Sequence, residues 1–321
     1  MDQQELKAAL EASDNKACRY FAGNAFVLSN SRNIRNVKTK RGESKNSYRF
    51  VSHTQSVCDT LRSIFKLEVE PFVAKFERAI SGDGQEEKRI DRLASSSLLA
   101  LLCFHRVSKE HKLKLRLNGK DYLFNEVDFE CKNPISKGSD KCSNVDVVLV
   151  GPKAKLYLES KFGEYFSRSS DYTDISEEAY GVLYREFFKR DWVTLKCSFG
   201  DAIAISSNDG KPHYCSGIKQ MISHYQGLRT LLSGNEAAGK QGKEIFLGTI
   251  LFDGFGGKLD RKHQHFDDYV KCYGEFLKNA PRGKDGFKLV DKILTYQDVF
   301  DGTEANRSLL PERVRQFYFA K

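Results

Sequence analysis

Three residues near the middle of the chain combine type and spacing in a way that could do chemistry: Asp146, Glu159 and Lys161. The segments Asn144 to Val150 (NVDVVLV) and Lys155 to Lys161 (KLYLESK) have the texture of two apolar strands joined at Gly151-Pro152-Lys153-Ala154. Pro152 pre-sets φ for the turn, and a symmetric reversal there places Asp146 directly opposite Glu159. Opposed residues of an antiparallel pair have Cβ atoms about 4.5–5.5 Å apart, where like charges repel unless a cation lies between them. A divalent metal ion is the obvious occupant. Strand alternation puts Lys161 on the face of Glu159, so two carboxylates and one ammonium leave one edge of a short hairpin. Glu and Lys are poor strand formers, and their place at the end of this strand asks for a reason other than folding. The bland reading is an ordinary cross-strand salt bridge.

The elements that must position this set follow from the pattern around it. Upstream, residues 2–22 and 53–82 have helical periodicity, the second interrupted at Pro71, and a third helix covers roughly 86–109. Its apolar stretch Leu93 to Phe104 is bounded by Arg92 and His105-Arg106, and it is too short for a bilayer span of about 20 residues. It is expected as a buried helix. Leu113, Leu115 and Leu117 then alternate with Lys and Arg, Asn118-Gly119 supplies a type I′ turn, and Tyr122 to Cys131 continues extended. After a polar loop, Lys132 to Cys142, comes the hairpin of interest. Helices are expected at about 174–190, 217–233 and 264–279, with strands at Glu244 to Phe252 and near 287–294. The order predicts an α/β protein of α+β type, a mixed sheet with helices packed on it.

An acid, a dozen residues, then Glu-x-Lys at the end of an apolar strand resembles the metal site of the PD-(D/E)xK nuclease superfamily. Here the motif stands as Asp146 with Glu159-Ser160-Lys161; Val145 occupies the place of the family's Pro, which is not a ligand. The helix around Ala94 to Ala100, the strand Val127-Asp-Phe-Glu130, the extended motif Glu159 to Glu164 and Tyr225 to Leu232 also look like a bacterial branch of these restriction-endonuclease-like proteins. The resemblance covers roughly 91–255, with an insertion at about 165–215, between an N-terminal helical extension (1–90) and a C-terminal one (256–321). It implies a restriction-endonuclease-like core and hydrolysis of phosphodiester bonds, with DNA the preferred partner. Mg²⁺, replaceable by Mn²⁺, would be held by Asp146, Glu159 and the Ser160 carbonyl, with Lys161 orienting the attacking water. A homodimer is compatible with this family. The alternative is a nucleic-acid-binding or protein-interaction module that keeps the fold without turnover.

Supporting positions carry weaker signals. Glu130, near the end of the preceding strand, is either a third acid of the site or an edge residue. On helix 217–233 the 3.6-residue period puts Arg229 within the apolar stripe of Ile218, Met221, Ile222, Tyr225, Leu228 and Leu232, where it needs an anionic partner, phosphate or carboxylate. Gln226 lies at the edge of that stripe, a site contact or a surface residue. Acid-x-Lys recurs at Glu5, Asp14, Glu43, Glu86, Glu110, Glu130, Asp209 and Asp260, but only Glu159 ends an apolar strand opposite an Asp. His213 and His224 stand as single polar positions, and His263-Gln-His265 is read as exposed.

Composition sets the outer bounds. The chain of 321 residues is 40% hydrophobic and 30% charged with 6 Pro, as a folded globular protein requires. Its 52 Lys and Arg exceed 43 Asp and Glu, a net charge of +9 that favours an anionic partner. Residues 31–49 concentrate that surplus (Arg32, Arg35, Lys38, Lys40, Arg41, Lys45 and Arg49 against Glu43) and are expected to form a loop or arm, with Lys40 and Arg41 as phosphate contacts. The 8 Cys show no C-x-x-C spacing, which argues for reduced core thiols. Met1 to Leu6 is acidic with no apolar run after it, unlike a secretory signal, so a cytoplasmic protein is expected. Gly-x-Ser-x-Gly and Walker-type loops are absent from the sequence, which sets aside serine-hydrolase and P-loop chemistry.

Overall fold

The computed structural model describes residues 34–38, 44–50, 58, 61–62, 65–80, 95–135, 142–162, 204–206, 212–214, 216–234, 242–252, 269–270, 273–274, 276–278, 280 and 286–319. Among them, two ribbons stand apart from the main sheet near the N-terminal end: β1 (Ile34–Lys38) with β2 (Ser44–Phe50), and β3 (Leu113–Leu117) with β4 (Lys120–Phe124). The first corrects the expectation of a loop. Its basic residues disguised an antiparallel pairing whose ends are the Cα partners Ile34 and Phe50. In the second, Asn118 and Gly119 both have positive φ (+47° and +81°), as a type I′ turn requires.

The mixed sheet is built on β5 (Glu126–Pro134), β6 (Cys142–Val150) and β7 (Ala154–Lys161), which run antiparallel in succession. β10 (Glu244–Leu251) pairs parallel to β7, and β11 (Lys288–Leu289) and β12 (Leu294–Thr295) pair parallel to β10. The expected single last strand is therefore two short ones, broken where Asp291 N–H turns aside to Asn118 Oδ1. The stretch Tyr122 to Cys131 also divides, because the Asn125 N–H leaves β4 to bond Val150 O. β5 runs on to Pro134 through part of what the sequence presents as loop. A further short pair, β8 (Ala204–Ser206) with β9 (Pro212–Tyr214), falls in the predicted insertion.

β7 is the central strand, and its near-continuous apolar run matches burial on both faces. At its start Gly151 N–H bonds Ala154 O at 2.8 Å, closing the turn over Pro152-Lys153. A Cβ on Gly151 would lie 2.0 Å from Leu123 O, so only glycine lets the β3–β4 ribbon approach this turn.

Six helices have their full ranges described, α1 (Val69–Ile80), α2 (Ser96–Phe104), α3 (Ser216–Gly234), α4 (Tyr296–Asp301), α5 (Glu304–Arg307) and α6 (Glu312–Tyr318), and described residues at 58–65 and 269–278 are helical as well. Pro71 excludes Glu70 from helical geometry (φ −107°, ψ 134°), as expected for the residue before proline. α2 is capped by Ser95 and buried from Ser97 to Phe104, the all-round burial its sequence predicts. On the edge strand β5, Lys75 and Arg78 of α1 engage Val127 O and Asp128. None of the described helices is long and apolar enough to cross a membrane. The predicted helices at 2–22 and 174–190 lie outside the described residues.

At the end of α2, His105 is 1% exposed, with Nδ1 near the Leu101 and Leu102 carbonyls and Nε2 without a partner. Burial, reinforced by the Arg106 charge, holds its ring down at about 4. The unfolded chain therefore takes up a proton first, and stability falls as pH drops from about 6.5 toward 4, by at most about 3 kcal/mol. Urea unfolding of His105→Leu should show a flatter dependence between pH 7 and 4.5 than the parent; an unchanged slope would place the titration elsewhere.

Candidate active site

The β6–β7 ladder has the register that the turn predicts, from Val150↔Lys155 to Val147↔Leu158. One step beyond its last backbone pair, Asp146 faces the position of Glu159. There a carboxylate takes the place of a strand partner: Asp146 Oδ2 accepts the Ser160 N–H at 2.6 Å. On the other side of β6, pairs Phe129↔Val147 and Cys131↔Val145 leave Glu130 beside Asp146, and Glu130 adopts φ +50°. Such a φ is uncommon for a residue with a long side chain and marks local strain. Glu130 is thus an interior residue of β5 and not its terminus, and the backbone turns aside as it passes Asp146. Glu130, Asp146 and Glu159 occupy one rung across three strands, and Thr249 of β10, paired with Glu159, extends it.

Electrostatics follow from that crowding. Burial pushes the Asp146 carboxyl well above the usual carboxylate range, and the charges of Glu159 and Glu130 push it further; Lys161 and the Ser160 N–H pull it back only in part. Glu159 is 0% exposed. Burial alone would raise its carboxyl too, but the Lys161 ammonium and His224 outweigh it and hold the group down at about 2. Lys161 Nζ, itself buried, takes Glu159 Oε1, and His224 Nε2 lies 2.5 Å from Oε2. Ser143 Oγ lies 2.9 Å from His224 Nδ1.

The two faces of the sheet are set by strand alternation. Glu159 and Lys161 face α3, which carries His224, whereas the Ser160 hydroxyl faces the other way, donating to Ser96 O of α2 at 3.1 Å and lying 2.7 Å from Tyr296 Oη of α4. α3 comes close because Gly227 has no side chain: a Cβ there would stand 3.0 Å from Asn133 Cβ and from Ser143 Oγ. Beyond β7 and β10, Phe162 stacks on Phe252 at 4.8 Å, and Tyr318 of α6 meets both edge-on.

The predicted residues are brought together unevenly. Glu130, Asp146 and Glu159 share the rung, and Lys161 lies two residues on from Glu159, on its face. Gln226 is not a surface residue: it is 0% exposed, and among the described residues both atoms of its amide lack a hydrogen-bond partner. Arg229 is half-buried on α3, between the buried Leu228 and Thr230. Lys40, Arg41, His263 and His265 lie outside the described residues. The reading of His224 as a lone polar position is overturned. Met221, His224, Tyr225 and Leu228 share one helical face, so the same periodicity that singled out Arg229 also marked this histidine.

Among the described residues no three His, Cys, Asp or Glu side chains close into a metal cage. A hard cation such as Mg²⁺ keeps several waters and needs only one or two carboxylates. Asp146 and Glu159 fit that requirement: burial is the main cause that raises the Asp146 carboxyl, and the neighbouring Glu159 and Glu130 charges that add to it are what a divalent cation would relieve. Ser143, His224 and Glu159 are also the residue types of a hydrolytic relay, but Ser143 is 5% exposed and covered by Gly227, with no room for an acyl group. No protein-family model, curated protein or solved structure matches the chain.

The Gln226 amide yields a direct test. Replacing a buried polar group that has no partner by an apolar one of similar length stabilises a fold by about 1–2 kcal/mol. Gln226→Met should raise the urea midpoint accordingly; a lower midpoint would mean that the amide is satisfied in solution.

Proposed function

We propose that the chain is a metal-dependent nuclease of restriction-endonuclease-like fold that hydrolyses phosphodiester bonds, DNA being the preferred substrate. The observation that carries this reading is the rung itself: Asp146 and Glu159 on adjacent strands, with Lys161 on the same face and in contact with Glu159. When bound, Mg²⁺ or Mn²⁺ would supply an acidified water and charge stabilisation at the phosphate. Asp146 and Glu159 would hold the cation, and Lys161 would orient the attacking water or offset charge on the phosphoryl oxygens. Glu130 adds negative charge beside Asp146, and its strained backbone is of the kind that clusters at functional sites. The net charge of +9 suits a polyanionic substrate.

A second reading, a binding module that keeps the fold without turnover, draws on the pairing of both Glu159 oxygens with the chain's own Lys161 and His224.

Cleavage of plasmid, linear duplex, single-stranded DNA and RNA with Mg²⁺, Mn²⁺ or EDTA separates the two. Nuclease chemistry predicts cutting that requires the metal and drops by about 10²-fold or more in Asp146→Asn and in Lys161→Ala. Equal cutting by both variants, or none by the parent, contradicts it.

A further inference from the structure

We propose that His224 is a positioning residue of this site: it pins Oε2 of Glu159, so that Oε1 alone is shared between Lys161 and an incoming divalent cation. The inference rests on the nuclease reading above. The two oxygens of Glu159 are divided between different partners, Lys161 Nζ at Oε1 and His224 Nε2 at Oε2. An ionised carboxylate only accepts hydrogen bonds, which places the His224 proton on Nε2; in the neutral ring Nδ1 then accepts from the Ser143 hydroxyl. One chain of hydrogen bonds therefore runs from β6 through α3 to β7, and it fixes both the tautomer and the ring plane.

Each anchor of that chain is itself rigid. Ser143, His224 and Glu159 are all at most 5% exposed, and the close approach at Gly227 sets α3 against β5 and β6. Without the tie, rotation about the last bond of Glu159 would exchange its oxygens. With it, Oε1 is held in a fixed place beside the Lys161 ammonium, where a divalent cation would share it. Outer partners that orient a ligand in this way contribute about 10–100-fold in metal affinity. His224 touches neither cation nor phosphate in this scheme, so its effect falls on holding the metal and not on the chemical step.

Calorimetric titration of the full-length protein with Mn²⁺, alongside Mn²⁺-dependent cleavage, tests the assignment. His224→Leu should raise the Mn²⁺ dissociation constant about 10–100-fold, and cleavage at saturating Mn²⁺ should recover toward the parent rate. Ser143→Ala, which frees the ring but keeps the Nε2 contact, should give a smaller rise. His224→Gln, whose amide N–H can replace Nε2–H, should restore most of the affinity. Parent-like affinity in folded His224→Leu overturns the proposal; if that variant does not fold, parent-like affinity in Ser143→Ala overturns it. So does a His224→Gln protein that binds as weakly as His224→Leu. A parent protein that neither binds Mn²⁺ nor cuts nucleic acid overturns the nuclease reading instead.

Discussion

Glu159 is a carboxylate with no exposure on the central strand of the sheet, and the surrounding architecture has to keep it ionised. An unpaired buried charge costs several kcal/mol, and even a well-made buried pair is weak evidence of stabilisation. Lys161 and His224 meet the two oxygens from different elements. Lys161 comes from the same strand by alternation, whereas His224 reaches Glu159 only because α3 lies close against β5 and β6 at Gly227. The site and the packing of α3 are therefore one constraint: moving the helix outward by a side chain's width would take His224 from Glu159 Oε2 and leave Lys161 as its partner at Oε1.

Sheet geometry gives way in the same place. At Asp146 the ladder toward β7 ends, where its carboxylate takes the Ser160 N–H, and the ladder toward β5 is interrupted at Glu130, which turns to positive φ, before it resumes at Cys131↔Val145. An ordinary sheet interior would carry apolar residues and unbroken pairing at this rung. Local rules are broken at one spot while β6 and β7 otherwise pair as their sequences dictate, the pattern expected where function competes with folding. On the opposite face Ser160 is tied to Ser96 and Tyr296, so the strand that bears Glu159 and Lys161 is fixed from both sides.

The hairpin was readable because its signals are local: a Pro-containing turn, two apolar strands and three charged residues at their ends. That is enough to set the β6–β7 register. Glu130 was harder, since nothing in Phe129-Glu130-Cys131 announces a left-handed residue inside a strand, and its place beside Asp146 comes from pairing with a strand that begins only at Cys142. His224 and Ser143 are separated by 81 residues and meet only through the packing of α3 on β6. A helical period shows that His224 faces inward but not which group it meets. The same period places Arg229 on that face, where it is half-buried, but does not say which group it meets either. In the basic stretch 31–49, charge density hid the pairing of β1 with β2.

Three carboxylates share one rung, Lys161 and His224 contact Glu159, and Asp146 is left buried beside the charges of Glu159 and Glu130. Carbon-13 NMR of the side-chain carboxyls, with Asp146 assigned by comparison with Asp146→Asn, measures this directly in the presence and absence of Mg²⁺. Asp146 is expected to titrate well above the ordinary carboxylate range near 4 without Mg²⁺ and to move down when Mg²⁺ is added. An Asp146 carboxyl that titrates in the ordinary range and ignores Mg²⁺ would contradict it.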